Sequence, residues 1–379
     1  MKKKLLSLLL AAGGLGVVAL AAVLGGSASD PLISLHYLND TYLTSVLRTA
    51  QEKIETAGDA AYEEALDYLD AKLASGGAAG SGLPGQKGYL HANGFLEMRL
   101  KKGDVISGIT GTGAILWAGK LSVSFSGGAM IDVTSGKTVA SGTALVPQQR
   151  YLTGENAKPS FVVQSDTAVV SIDGFYTLKK STQTDYNQLA DALRQIGLFK
   201  GKDISIGSGY ALEDKGNRIE GLIMFLRMLG QEEEALSRKT PHPFTDVPDW
   251  CNGYVAYAYE KGYTTGVSKT SFGTYQEIGA AEYMTFLLRS LGYRDADGEF
   301  TWDTSLEKAK TAGVITAGER TQLTGQPFYR AQMVYLSYYG LLAQRKTGET
   351  LLTYLDAQGA LQKTQVERIM ASVTSNRIL

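Results

Sequence analysis

The feature that most constrains this chain is an amphipathic helix written twice. Ile219 to Gln231 reads IEGLIMFLRMLGQ, and sixty-two residues later Ala281 to Tyr293 reads AEYMTFLLRSLGY. Glu220 matches Glu282, Leu226 matches Leu288, Arg227 matches Arg289, and Gly230 matches Gly292. The apolar positions Leu222, Phe225, Leu226 and Leu229 make one stripe, too little surface to fold alone. Repeated units solve that problem by burying their stripes against each other. A third, weaker copy begins near Arg330, so each unit reads as a short helix ending in glycine (Gly197, Gly262, Gly313), a loop, and a longer helix from near Arg218, Ala281 or Arg330. The second and third units share an opening, Phe244-Thr245-Asp246 and Phe300-Thr301-Trp302-Asp303.

The rest of the 379 residues leaves room for two or three domains. The start, MKKKLLSLLLAAGGLGVVALAAVLGGSASD, has three lysines, an uncharged apolar run from Leu5 to Gly26 and small residues around Ala28. It reads as a signal peptide, residues 1–28, with an uncleaved anchor as the alternative because the run is long enough to span a bilayer. No cysteine follows the run, which argues against a lipoprotein; the single Cys251 cannot form an intramolecular disulfide. Removing residues 1–28 takes away lysines but no acids, so the mature chain is mildly acidic and nucleic acid is excluded as a partner. Residues 29–75 read as a helical segment, and 76–87, rich in glycine and serine, as a flexible linker.

From 88 to 180 the pattern changes to short alternating runs broken by glycine, which predicts an all-β sandwich or β-roll. LSVSFSGGAMIDV predicts a hairpin turning at Gly127-Gly128, with Leu121, Val123 and Phe125 facing Ala129, Ile131 and Val133. A cupin-like catalytic version would need a histidine cluster, and this region holds only His91, so no metal or other cofactor is expected. GITGTG at Gly108–Gly113 precedes no helix, and no serine-hydrolase, zinc-protease or phosphate-loop motif is visible. The expected fold class is therefore α+β and multidomain: N-terminal helices, an all-β module, an all-α triple repeat over 182–345 (units at about 185–232, 243–293 and 299–343) and a C-terminal helix at 346–379.

The repeat resembles the surface-layer homology domains of bacterial cell envelopes. FTDVPDW at Phe244–Trp250, GYTTG at Gly262–Gly266, Phe272 and GAAEYMTFLLRSLGY carry the resemblance in the second unit. GLFKG at Gly197–Gly201 and NRIE at Asn217–Glu220 carry it in the first, and FTW, Gly313 and Tyr329-Arg330-Ala331-Gln332 in the third. Capping explains part of the motif: Asn217 with Glu220 forms a capping box, Gly279 with Glu282 half of one, and Tyr329 with Gln332 only the back-reaching amide, which predicts the least sharp start for the third helix.

The resemblance implies a pseudo-threefold bundle whose grooves bind an acidic secondary cell-wall polymer attached to peptidoglycan. Arg218 and Arg330 stand at the motif's arginine position and Ala280 departs from it; Trp250, Tyr263 and Asp246 complete the candidate glycan contacts. For each a structural role competes: Trp250 as core, Asp246 as a cap for a helix near Pro248, the arginines as ion-pair members, with Arg227 and Arg289 as surface stem-packers. The implied protein is exported and non-catalytic, held on the cell wall or surface by its repeats while displaying the β module. The alternatives are a lattice or filament subunit, with intermolecular contacts through the β module and the N-terminal helices, and an envelope polysaccharide hydrolase targeted by the repeats; the partner expected at the β module is a second copy or another surface protein.

Overall fold

The structure, a computed structural model, describes residues 88–202 and 204–379. The signal peptide, the helical segment at 29–75 and the linker at 76–87 lie outside the described residues. Within them, no helix is long and apolar enough to cross a membrane.

Ten strands form the β region: β1 (Leu90–Lys101), β2 (Val105–Gly108), β3 (Gly113–Ala118), β4 (Leu121–Ser126), β5 (Met130–Asp132), β6 (Lys137–Val139), β7 (Thr143–Ala144), β8 (Arg150–Thr153), β9 (Lys158–Val163) and β10 (Thr167–Lys179). They make one antiparallel sheet, in the order β6-β5-β8-β3-β10-β2-β9-β4-β7 with β1 also on β10, where a two-sheet sandwich was one expectation. The reason is β10, whose 13 residues pair with β1, β3 and β2 in turn and so hold every part of the region in a single curled, nearly barrel-like sheet. Its interior is filled by Ile106, Leu116, Leu121, Val123, Met130, Phe161, Val170 and Ile172.

The hairpin at Gly127-Gly128 does not form. β4 pairs with β9 and β7, while β5 pairs with β6 and β8. Both glycines have positive φ and carry the chain closely past another strand connection: a Cβ on Gly128 would lie 2.1 Å from the Glu155 carbonyl oxygen. The face of the second run is also inverted, with Met130 and Asp132 buried and Ile131 and Val133 exposed. Asp132 explains the inversion, because its carboxylate accepts hydrogen bonds from the backbone N–H groups of Thr134 and Ser135 and from the Ser135 hydroxyl, shaping the turn to β6.

The helical region contains α1 (Tyr186–Gln195), α2 (Arg218–Met228), α3 (Glu232–Leu236), α4 (Asn252–Glu260), α5 (Ala280–Ser290), α6 (Ser305–Thr311), α7 (Ala317–Leu323), α8 (Arg330–Leu342), α9 (Leu351–Ala357) and α10 (Lys363–Ala371). The long helices α2, α5 and α8, one from each sequence unit, pack on one another pairwise. Leu222, Phe225, Leu226, Met284, Leu287, Leu288, Val334 and Leu341 are buried between them and their short partners. Gly340 permits the close approach, since a Cβ there would stand 2.6 Å from a Leu287 methyl.

The third long helix starts as firmly as the others. The free amides at its first turn are met by the first unit's loop, with Arg330 N–H donating to the Asp214 carbonyl (2.8 Å) and Ala331 N–H to that of Leu212 (3.1 Å). Likewise Arg218 and Ile219 at the start of α2 donate to the carbonyls of Gln276 and Thr274 in the second unit's loop. Neighbouring units thus supply caps that no local motif could reveal.

The expected single C-terminal helix is instead α9 and α10, broken at Gly359 (φ +71°), followed by a tail that returns to the repeats. The tail ties the first unit to the third. The Asp185 N–H donates to the Ser375 hydroxyl (2.7 Å), and the Ile378 N–H donates to the Tyr335 hydroxyl (2.9 Å) on α8.

The β region and first unit are also directly joined. Arg99 on β1 makes a two-armed contact with Asp191 on α1 (2.9 and 3.0 Å), and its guanidinium lies over the Tyr210 ring.

Candidate groove of the helical region

The capping glutamates do two jobs. One Glu220 oxygen accepts from the Asn217 N–H (3.0 Å), closing the capping box, while the other takes the Arg330 guanidinium at 2.8 Å. Glu282 is divided in the same way, accepting from the Gly279 N–H (2.8 Å) with one oxygen and facing Arg218 at 3.8 Å with the other. Glycine has no side chain with which to complete the box, so Glu282 provides only the backward half. The motif arginines therefore reach from one unit to the cap of another.

Arg330 is only 5% exposed and its Nε also donates to the Tyr210 carbonyl. It forms the inner wall of a groove of about 370 Å³ whose lining includes Lys200, Lys202, Glu220, Arg227, Trp250 and Tyr254. Four cationic side chains line this groove and share three carboxylates: Lys200 and Arg227 pair with Glu232, Lys202 with Asp214, and Arg330 with Glu220, an excess of one positive charge. Trp250, 56% exposed, presents its indole there rather than serving the core, and its Nε1–H donates to the Tyr275 hydroxyl (3.2 Å). Tyr254 donates to Glu232, whose carboxyl is opposed by burial yet held down at about 2 by the hydrogen bonds of Arg227, Tyr254 and Lys200.

Arg218 is placed differently. Its guanidinium lies over the Phe272 ring, and its buried Nε has no hydrogen-bond partner among the described residues. Burial lowers its pKa against the weak compensation of Glu282. A guanidinium does not deprotonate at this depth, so the shift marks a cation short of counter-charge.

The remaining candidates make contacts within the chain. Asp246 caps no helix: it accepts from the Phe272 and Gly273 N–H groups (both 2.7 Å) and the Ser271 hydroxyl, organising the loop that leads to α5. Burial would raise its carboxyl, but these bonds outweigh that and hold it below its ordinary value. Tyr263 is half-buried, packs edge-on against Phe225 and donates to the Gln231 side chain (3.1 Å).

Arg227 and Arg289, expected as surface stem-packers, are clamps. Arg227 donates to the Leu198 carbonyl just after Gly197 and to Glu232; Arg289 donates to the Tyr263 carbonyl just after Gly262 and to Asp295. Each holds the end of its unit's short helix, where carbonyls lack partners. Sequence reasoning passed over Lys200 and Lys202 because they lie outside the repeated helix, in a loop whose course no periodicity reveals. It also passed over Trp302, 63% exposed, in the turn before α6, the place Trp250 holds before α4. The doubled tryptophan in the shared opening was the signal available.

No protein-family model matches the chain. A cell surface protein of Thermoanaerobacter kivui is 29% identical to it over 138 residues, covering 35% of this chain and 18% of the relative, so the chain spans less than a fifth of that protein's length. Among solved structures, the coconut allergen cocosin aligns over 31% of this chain and 38% of its own at 12% identity, with a TM-score of 0.15, too low to bear on the fold.

Proposed function

We propose that this is an exported cell-surface protein whose helical region attaches it non-covalently to an acidic cell-wall polymer, leaving the β region as a non-catalytic displayed module. The observation that carries the reading is the groove at Arg330, where Lys200, Lys202 and Arg227 surround an exposed Trp250. Cations meet the carboxylates of an anionic glycan, and an indole face meets the apolar face of a sugar ring. The similarity to a protein described as a cell surface protein supports the location.

Incubating the full chain with purified walls tests this. Binding is expected to fall as salt rises, because exposed ionic contacts are screened, and to vanish on walls stripped of polymer by acid. Lys200→Gln with Lys202→Gln lowers it while keeping the 2.8 Å Arg330–Glu220 contact, removing only the longer 3.6 Å contact of Lys202 with Glu220. Arg330→Gln is a poor probe, since it removes the shortest ion-pair contact made by a largely buried Glu220. Lysine and Trp250→Ala variants that remain folded yet bind walls as tightly as the parent would overturn the reading.

A further inference from the structure

A larger cavity, about 700 Å³, lies between the β region and the third unit, well within the range of about 300–1,000 Å³ usual for ligand pockets. One wall comes from the β9–β10 turn and β10, with Gln164 and Thr167; the other comes from α7, the turn after it and α8, with Gln322, Gln326 and Gln332. We propose that this cleft binds a short, uncharged, hydroxyl- and acetamido-bearing oligosaccharide, held by side-chain amides from both walls.

The charged groups of the lining balance in number, Lys102 and Lys120 against Asp166 and Glu213. Gln332 Nε2–H donates to one oxygen of Asp166 across the cleft at 2.7 Å. Glu213 lies in the lining, and burial pushes its carboxyl above the ordinary value. Lys102 and Lys120 are exposed and select no anion by themselves. What remains is a set of amides. Gln326 has no hydrogen-bond partner among the described residues, and the carbonyl oxygens of Gln164 and Gln322 accept no hydrogen bond that the structure shows. An amide offers a donor and an acceptor on one planar group, matching a ligand whose own groups do both, as sugar hydroxyls and acetamides do. The half-buried Tyr329 adds an aromatic ring beside them. Neither the cations nor the tryptophan of the Arg330 groove take part, so this site stands whether or not that groove binds a polymer.

Isothermal titration of the full chain with tri-N-acetylchitotriose tests the assignment. One weak site is expected, with affinity falling about tenfold in Gln322→Leu/Gln326→Leu, two lost hydrogen bonds. Both glutamines are exposed, and Gln164→Leu on the opposite wall gives an independent reading should the double variant lose its circular-dichroism signature. No binding at millimolar sugar, or equal binding by the folded glutamine variants, would each overturn the proposal.

Discussion

The first two units and the third solve the same two structural problems with different partners. In units one and two, a capping glutamate turns its second oxygen toward an arginine from another unit, Glu220 to Arg330 and Glu282 to Arg218. Unit three has Gln332 at that position, and the arginine it would meet is Ala280. Gln332 still reaches back to the Tyr329 N–H (2.8 Å), but its other atom is a nitrogen that donates to Asp166 of the β region. The outward partner changed from cation to carboxylate, and the side chain changed from acceptor to donor to suit it. The clamp shows the same exchange. Arg227 and Arg289 hold the short helices of their own units, whereas unit three has Tyr339 at that spacing. Its clamp is Arg377 from the tail, which donates to the Val314 carbonyl (2.7 Å) just after Gly313, pairs with Glu319 and lies over the Tyr339 ring. A repeat that looks degenerate by itself is complete once the β region and the tail are counted.

Removing the borrowed clamp gives the largest expected effect. Arg377→Ala leaves Glu319, whose side chain is 1% exposed, with its charge uncompensated. Removing one member of a buried pair costs about 3–5 kcal/mol; Tyr335 and the Thr316 N–H still donate to Glu319, so a loss of about 2–4 kcal/mol is expected in denaturant unfolding. Glu319→Gln added to Arg377→Ala should recover part of that loss. A change below 0.5 kcal/mol in Arg377→Ala would mean that the tail merely rests on the third unit.

The clamp of the first unit should matter less and depend on pH. Arg227→Leu is expected to cost about 1–2 kcal/mol at pH 7, since the contact is partly solvated. Glu232 has its folded pKa depressed from 4.5 to about 2, with burial opposing ionisation and Arg227 foremost among the groups that overcome it. A depressed carboxylate pKa stabilises fully above the unfolded value and loses that contribution as pH falls through the folded one. The wild-type advantage over Arg227→Leu should therefore be largest above pH 4.5 and shrink toward pH 2. An advantage that grew on acidification would contradict the pairing.

How much of this the sequence displayed follows from how far apart the partners lie. The long helices, their terminal glycines and the Glu220 capping box were legible because each is written within a dozen residues. Gln332 with Asp166 spans 166 residues, and Arg377 lies 63 residues past Val314, beyond the end of the repeat match. The β region was legible as strands but not as a sheet: β10 collects three partners, and the alternation in AMIDV pointed to the wrong face because a buried aspartate set the turn. Of the candidate groove's lining, Arg330 and Trp250 were readable from the motif, whereas Lys200 and Lys202 enter it only through the loop's path.

The smallest expected effect on stability separates the two grooves. Trp250 and Trp302 are both more than half exposed, so either alanine substitution should change unfolding free energy by less than about 0.5 kcal/mol. Their effects on wall binding should nevertheless differ. Trp250 stands in a groove with a paired Arg330 and two lysines, a setting in which an aromatic anchor carries much of the binding energy, so Trp250→Ala should weaken binding about tenfold. Trp302 belongs to the unit whose capping residue, Gln332, has turned to the β region, so Trp302→Ala should weaken it about twofold or less. Equal losses in wall pull-downs would show that the third unit, despite its borrowed clamp, still contributes a working groove; a larger loss for Trp302 would reverse the ranking of the units.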